Sequence, residues 1–286
     1  MSLHLYADDT QLYLPFDPQN SKFALEQMEA CIAEIKLWMA SNFLKLNDDK
    51  TEFIMLGSQH DLAGVSERIL SVGDERVSLS TTVRNIGAML DSTLAMIPHI
   101  NNITKTCYFQ IRNLSKIRKY LSKDSTKTLT HAFVSSRLDN LNSLLYDIPK
   151  VHTKKLENVQ HHAARIIEQV HRSCPITPIL KELHWLPVEY RSQYKILLLI
   201  YKSLHGKGPD YLASMLEEYQ PNYNSRSSTQ SLLRVPSVHK KYGDRAFSVA
   251  GPRLWNALPL SLKLSPSVDS FKKSLKTYLF KMAFNL

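Results

Sequence analysis

The sequence predicts an α+β chain, strand-rich over its first hundred residues and mainly helical beyond, and three observations lead there. Short runs of β-branched and aromatic residues separated by turn residues crowd the first part. Apolar residues at steps of three and four dominate the second. Charge divides at the same place: residues 1 to 100 carry seven Lys/Arg against fourteen Asp/Glu, and the remaining 186 carry 29 against 12, for a net +10 over 286 residues. A basic half of this kind suits a polyanion, although lysines that only solubilise a fold give the same balance.

Each element has its own local reason. "HLYADDTQLYLPF" reads as strand, tight turn, strand, with Asp8 and Asp9 in the turn and Pro15 and Pro18 closing the second run. From Ser21, taken as an N-cap, to about Met39, the residues Phe23, Leu25, Met28, Ile32, Ile35, Leu37 and Trp38 recur at roughly helical spacing. "KTEFIMLGS" predicts a half-buried strand stopped by Gly57, and "ERILSV", "RVSLS" and "VRNIGAML" predict further short strands around the Gly73-Asp74 turn and a polar break at 80–82.

Beyond Pro98, Ile100, Ile103, Cys107, Ile111, Leu114, Ile117 and Leu121 form one apolar stripe, and no acid occurs between 101 and 123. Further helices are expected near Asp124 as N-cap, over about 152 to 171, at Thr177-Pro178 with the proline at N1, from about Val188 to His205 and after Pro209. Residues 219–243, rich in Ser, Asn, Gln and Pro, predict a flexible connection. "GPRLWNALP" gives a short helix, and Ser267 caps a last one with Phe271, Leu275 and Leu279 inward and Lys272, Lys273 and Lys276 outward.

At 43% apolar content the chain has enough material for a core. Its three cysteines are widely separated and match no zinc or disulfide pattern, which points to a reducing, intracellular setting, nucleus or cytoplasm, and not to secretion. The most apolar stretch, "YKILLLIYKSL", is too short to span a bilayer, so no membrane partner is expected.

Two adjacent carboxylates in a tight turn aim at one small volume and suit hard cations such as magnesium. Asp is also a common turn residue for purely local reasons. The surroundings add to the turn. Tyr6-Ala7-Asp8-Asp9-Thr10 resembles the catalytic hairpin of reverse transcriptases, and "WMASNFLKLNDDKTEFIMLGS" and "VRNIGAMLDSTLAMIPHI" resemble the segments that follow it in the enzymes of non-LTR (LINE-type, jockey-like) retrotransposons. "SSRLDNLNSLLYDIP", "LENVQHHAARII", "ITPILKELHWLPVEYR", "YGDRAFSVAGPRLWNALP" and "FKKSLKTYLF" resemble the C-terminal region of such proteins, in the same order.

The resemblance implies a strand-rich, incomplete polymerase palm over 1–97 and a helical thumb over 98–150. A helical C-terminal region over 151–218, the connection over 219–243 and a last helical segment over 244–286 follow. It implies an RNA-directed DNA polymerase, a nucleotidyltransferase using Mg2+, with an RNA template and a DNA primer as partners in duplex form. Asp8 matches the metal-ligating carboxylate and Asp9 its supporting neighbour; Tyr6 and Ala7 would lie under the primer terminus. Lys50 matches a lysine near the leaving pyrophosphate, and reads equally as a solvated lysine at a strand start. Ile86 and Gly87 match the primer-grip turn, with Gly87 suited either to close approach of a strand or to turn geometry. Lys105, Arg112, Lys116, Arg118, Lys119 and Lys123 would track phosphates from the thumb, with Tyr108 and Tyr120 near enough to stack.

The family carries fingers and a further palm aspartate before this hairpin. The chain begins too late to include them, so it is expected not to polymerise alone, and an upstream polypeptide supplying them is an expected partner. Asp17 and Asp91 are the other acids weighed as ligands, without spacing to support them. A non-catalytic nucleic-acid-binding or scaffold protein derived from such an element is the alternative reading.

Overall fold

The computed structural model describes residues 1–73, 75–219, 230–238 and 241–286 and divides into two compact units, Met1–His99 and Ile100–Leu286. The α+β class is observed.

In the first unit, β1 (Ser2–Tyr6) pairs with β2 (Asp9–Tyr13), and the helix α1 (Ser21–Ser41) follows. After the short α2 (Gln59–Ala63), β3 (Ile69–Val72) pairs with β4 (Glu75–Ser78), and β5 (Thr82–Asn85) with β6 (Ala88–Asp91). All three pairs are antiparallel and form separate two-stranded sheets. Two-stranded sheets are marginal unless a face is covered. Here Ile32 of α1 packs on Leu70 and Val72 of β3, with Met28 and Val77 around them. Lys36 reinforces this, donating to the Val72 carbonyl at 3.0 Å and pairing with Asp48 at 2.9 Å.

Three local expectations are corrected in this unit. Asn20, not Ser21, is the N-cap of α1; Ser21 is buried in the first turn and donates to Glu67 at 2.8 Å. The apolar repeat of α1 is only partly covered, since Phe23, Leu37 and Trp38 stay exposed and a two-stranded sheet is too narrow to cover a wide stripe. The strand expected over 50–58 shrinks to one bridge, Phe53 with Leu79, just past the end of β4.

In the second unit, α3 (Ile97–Ile117) and α4 (Lys123–Thr130) lead through a π-helical turn, His131–Ser135, into α5 (Ser136–Asp139) and α6 (Lys150–Glu168). Ser122, not Asp124, caps α4, accepting from the Ser125 N–H at 3.0 Å. Then come α7 (Ile176–Glu182) and α8 (Val188–Leu204), and Gly206 at φ 63° follows α8. Pro175 occupies the N-cap of α7, which places Pro178 at N3 and not at N1; that position also has no intrahelical N–H bond to lose.

The short α9 (Asp210–Ala213), α10 (Lys241–Asp244) and α12 (Leu260–Lys263) flank α11 (Phe247–Asn256) and the final α13 (Val268–Phe284). Much of the connection expected over 219–243 lies outside the described residues. Ser267 caps α13 as the sequence predicts, and Phe271, Leu275 and Leu279 are its buried face.

The core of this unit joins α8, α11 and α13. Tyr201 stacks on Phe271 with ring centroids 4.2 Å apart and donates its hydroxyl to the Ser265 carbonyl at 2.6 Å, so a buried phenol is packed and satisfied at once. Trp255 is buried beside Phe271 and donates to the Ser231 carbonyl at 2.9 Å. Among the described residues no helix is long and apolar enough to cross a membrane.

Candidate functional site

The acidic hairpin is built by its register. Tyr6 pairs with Asp9, so Ala7 and Asp8 form a two-residue loop and Asp9 opens β2. Tight two-residue loops need positive φ, and Ala7 supplies it at 54° although it is not glycine. Tyr6, Ala7, Asp8 and Asp9 are all exposed. Among the described residues no group of three His, Cys, Asp or Glu side chains comes together to hold a metal. Asp17 caps a short turn by accepting from the Gln19 N–H at 3.0 Å. Asp91 is committed as well: its oxygens accept from the Thr93 hydroxyl at 2.7 Å and from the N–H groups of Ala95 and Met96 at 2.9 and 2.6 Å. Burial alone favours the neutral carboxyl and pushes its pKa up, but these donors outweigh it and hold the pKa below the usual carboxylate range.

Lys50 is exposed at the end of the 3-10 turn Asp48–Lys50, and no hydrogen bond or ion pair joins it to Asp8 or Asp9. Ile86 and Gly87 form the turn between β5 and β6, at φ 44° and 85°. A Cβ added at Gly87 meets nothing within 4 Å, so the glycine here serves turn geometry and not close approach. A contact that no local pattern marks connects the two hairpins: Gln11 of β2 donates to the Asn85 side chain at 2.8 Å. It brings the strand carrying Asp9 against the residue next to Ile86.

The six cations expected to track phosphates separate into two groups. Arg118 is spent inside the fold: Nε and Nη2 donate to the Ile166 and Ile167 carbonyls, both at 2.9 Å, and Nη1 to the Leu121 carbonyl at 2.7 Å. It thereby satisfies carbonyls orphaned at the C-terminus of α6, where a cation also meets the negative end of the helix dipole. Lys123 pairs with Glu168 and, at 2.9 Å, with Glu182. These two residues are thus engaged in ties within the fold. Lys105, Arg112, Lys116 and Lys119 are exposed, and none has an acidic partner among the described residues.

Steps of seven and four residues keep Lys105, Arg112 and Lys116 within a narrow arc of α3, opposite the buried Ile103, Cys107, Ile111 and Leu114, and Lys119 follows in the 3-10 turn Arg118–Tyr120 just past the helix end. Cys107 belongs wholly to the packing; burial pushes its thiol up to about 11. Tyr108 lies at the margin, half-buried, with its hydroxyl 3.4 Å from His162 Nδ1. Phe109, which the sequence reading passed over, is 58% exposed on the cationic arc, and Tyr120 is 76% exposed at its end. The spacing held the signal: Phe109 falls four residues after Lys105 and three before Arg112.

Comparison of the chain with models of known protein families, with curated proteins and with solved structures finds no match.

Proposed function

We propose that the chain belongs to the reverse transcriptases of non-LTR retrotransposons and that the exposed face of α3 is where it holds nucleic acid. The ordered run of motifs from the YADD hairpin to the last helix supports the family. One structural observation carries the binding role: Lys105, Arg112 and Lys116 on α3 and Lys119 in the 3-10 turn just past it form an exposed, acid-free row about 20 Å long, and none of them has an acidic partner among the described residues. Such a row meets successive backbone phosphates without reading sequence.

The magnesium centre that the resemblance implies needs ligands facing Asp8 and Asp9 from a second element. The described residues bring no third carboxylate to the pair, so they do not fit a complete two-metal site, and no nucleotidyl-transfer step is derived from them.

The test is equilibrium binding of the full chain to a labelled RNA–DNA hybrid across a salt series. Four phosphate contacts give a slope of about −3.6 in log K against log salt, or a loss of roughly 150-fold between about 50 and 200 mM. Replacing Lys105, Arg112, Lys116 and Lys119 together with Gln abolishes most of that slope. A slope left intact by the quadruple change means that the face does not bind nucleic acid.

A further inference from the structure

We infer that the α3 face takes single-stranded nucleic acid, with Phe109 and Tyr120 as platforms for unpaired bases; the inference rests on the nucleic-acid reading of that face and narrows its ligand. A helix that only follows the phosphates of a duplex needs cations and has no use for large exposed rings, because paired bases keep their faces buried in the stack. Phe109 is interleaved with the cations, and Tyr120 stands at the end of their row, in the 3-10 turn Arg118–Tyr120. Phe109 stands between Lys105 and Arg112 and is 58% exposed; Tyr120 is 76% exposed, with the Lys119 ammonium 4.8 Å from its ring centroid.

Exposed apolar rings are common on protein surfaces when scattered singly. Phe109 on the acid-free cationic face of α3 and Tyr120 in the 3-10 turn that continues it match the other pattern, a charged track with aromatic steps, which is how unpaired strands are held irrespective of sequence. The rings stand eleven residues apart, about 17 Å along the axis. That separation is too long for both to sandwich one base. Each ring therefore takes its own base, and Arg112 and Lys116 hold the backbone between them. The Lys119 ammonium beside the Tyr120 ring supplies positive charge for the phosphate adjoining the stacked base.

The experiment compares binding of the full chain to a labelled, mixed-sequence single-stranded RNA and to an RNA–DNA hybrid of the same length, in the same salt. Phe109→Leu and Tyr120→Leu keep apolar bulk and remove the ring face; Phe109→Trp keeps the ring. Each Leu variant is expected to weaken single-strand binding by about fivefold or more and hybrid binding by less than about twofold, with the Trp variant as tight as the parent. Equal losses on both ligands, or unchanged single-strand affinity in the Leu variants, overturn the inference while the quadruple Gln variant still loses binding. If that variant binds both ligands like the parent, or if the parent binds neither, the broader nucleic-acid reading fails with it. Both rings are exposed, so unchanged far-ultraviolet dichroism in the variants is the expected control.

Discussion

Arg112 and Arg118 are six residues apart in one basic stretch, yet one is exposed and the other is tied into the fold, and replacing each by Met separates the proposed binding role from the structural one. Arg118 makes three hydrogen bonds to carbonyls, two of them at the end of α6. A charge-assisted bond contributes about 1.5–3 kcal/mol when dry. Arg118 is half-buried, so water replaces part of each, and about 1 kcal/mol per bond is the fitting value. Ile166 keeps a second partner, the Gln169 N–H at 3.4 Å, whereas Ile167 has no other hydrogen bond to its carbonyl outside the helix ladder.

Arg118→Met is thus expected to lose about 3 kcal/mol, seen in urea titration as a midpoint lower by about 1 M with the slope unchanged. Arg118→Lys, a point charge without the planar fork, recovers only part of this. Arg112→Met has no internal bond to lose, so its stability changes by less than about 0.5 kcal/mol while the salt slope of nucleic-acid binding drops by about 1. The reasoning is refuted by the reverse result, in which Arg118→Met unfolds at the parental urea concentration and reduces the salt slope.

Two further outcomes follow from strained or committed backbone in the first unit. Ile86 is β-branched at φ 44°, a region that costs such residues roughly 1–2 kcal/mol, so Ile86→Asn is expected to raise the thermal midpoint by about 2 °C in scanning calorimetry; a midpoint at or below the parent's shows that the turn stores no strain. Asp91 has a depressed folded-state pKa, so its stabilising contribution is fully present above the unfolded value of about 4 and disappears as pH falls through the folded one. Stability measured down an acid series therefore falls in that window, and Asp91→Asn is less stable at neutral pH with a flatter acid limb. An unchanged acid limb in the variant assigns the loss to other carboxylates.

Features decided by neighbours in the sequence were legible. The β1–β2 hairpin follows from β-formers on both sides of a short acidic turn. The α3 stripe follows from its steps of three and four, and the Ser267 cap from a hydroxyl just before a periodic run. Features decided by distant partners were not. Residues 50–58 have the composition of a strand, but a strand exists only where a distant segment runs alongside it, and here only Phe53 forms a bridge, with Leu79. The Gln11–Asn85 contact spans 74 residues, and no local pattern marks it.

The same limit acts on the candidate interface and changes its expected strength. Periodicity assigns a cation to a face, but it does not tell whether the charge is already used inside the fold. Six cations read from the sequence correspond to a salt slope of about −5.4. Arg118 is taken by α6, 48 residues ahead at its first contact, and Lys123 by Glu168 and Glu182. The four that remain correspond to about −3.6 on a duplex and about −2.8 on a single strand, and in the proposed binding mode the shortfall is made up by a feature that charge counting does not register, the two exposed rings beside them. A ligand held by fewer phosphate contacts and two base stacks depends less on salt and more on unpaired bases, so salt dependence and strand preference should change together when the rings and cations are exchanged for one another.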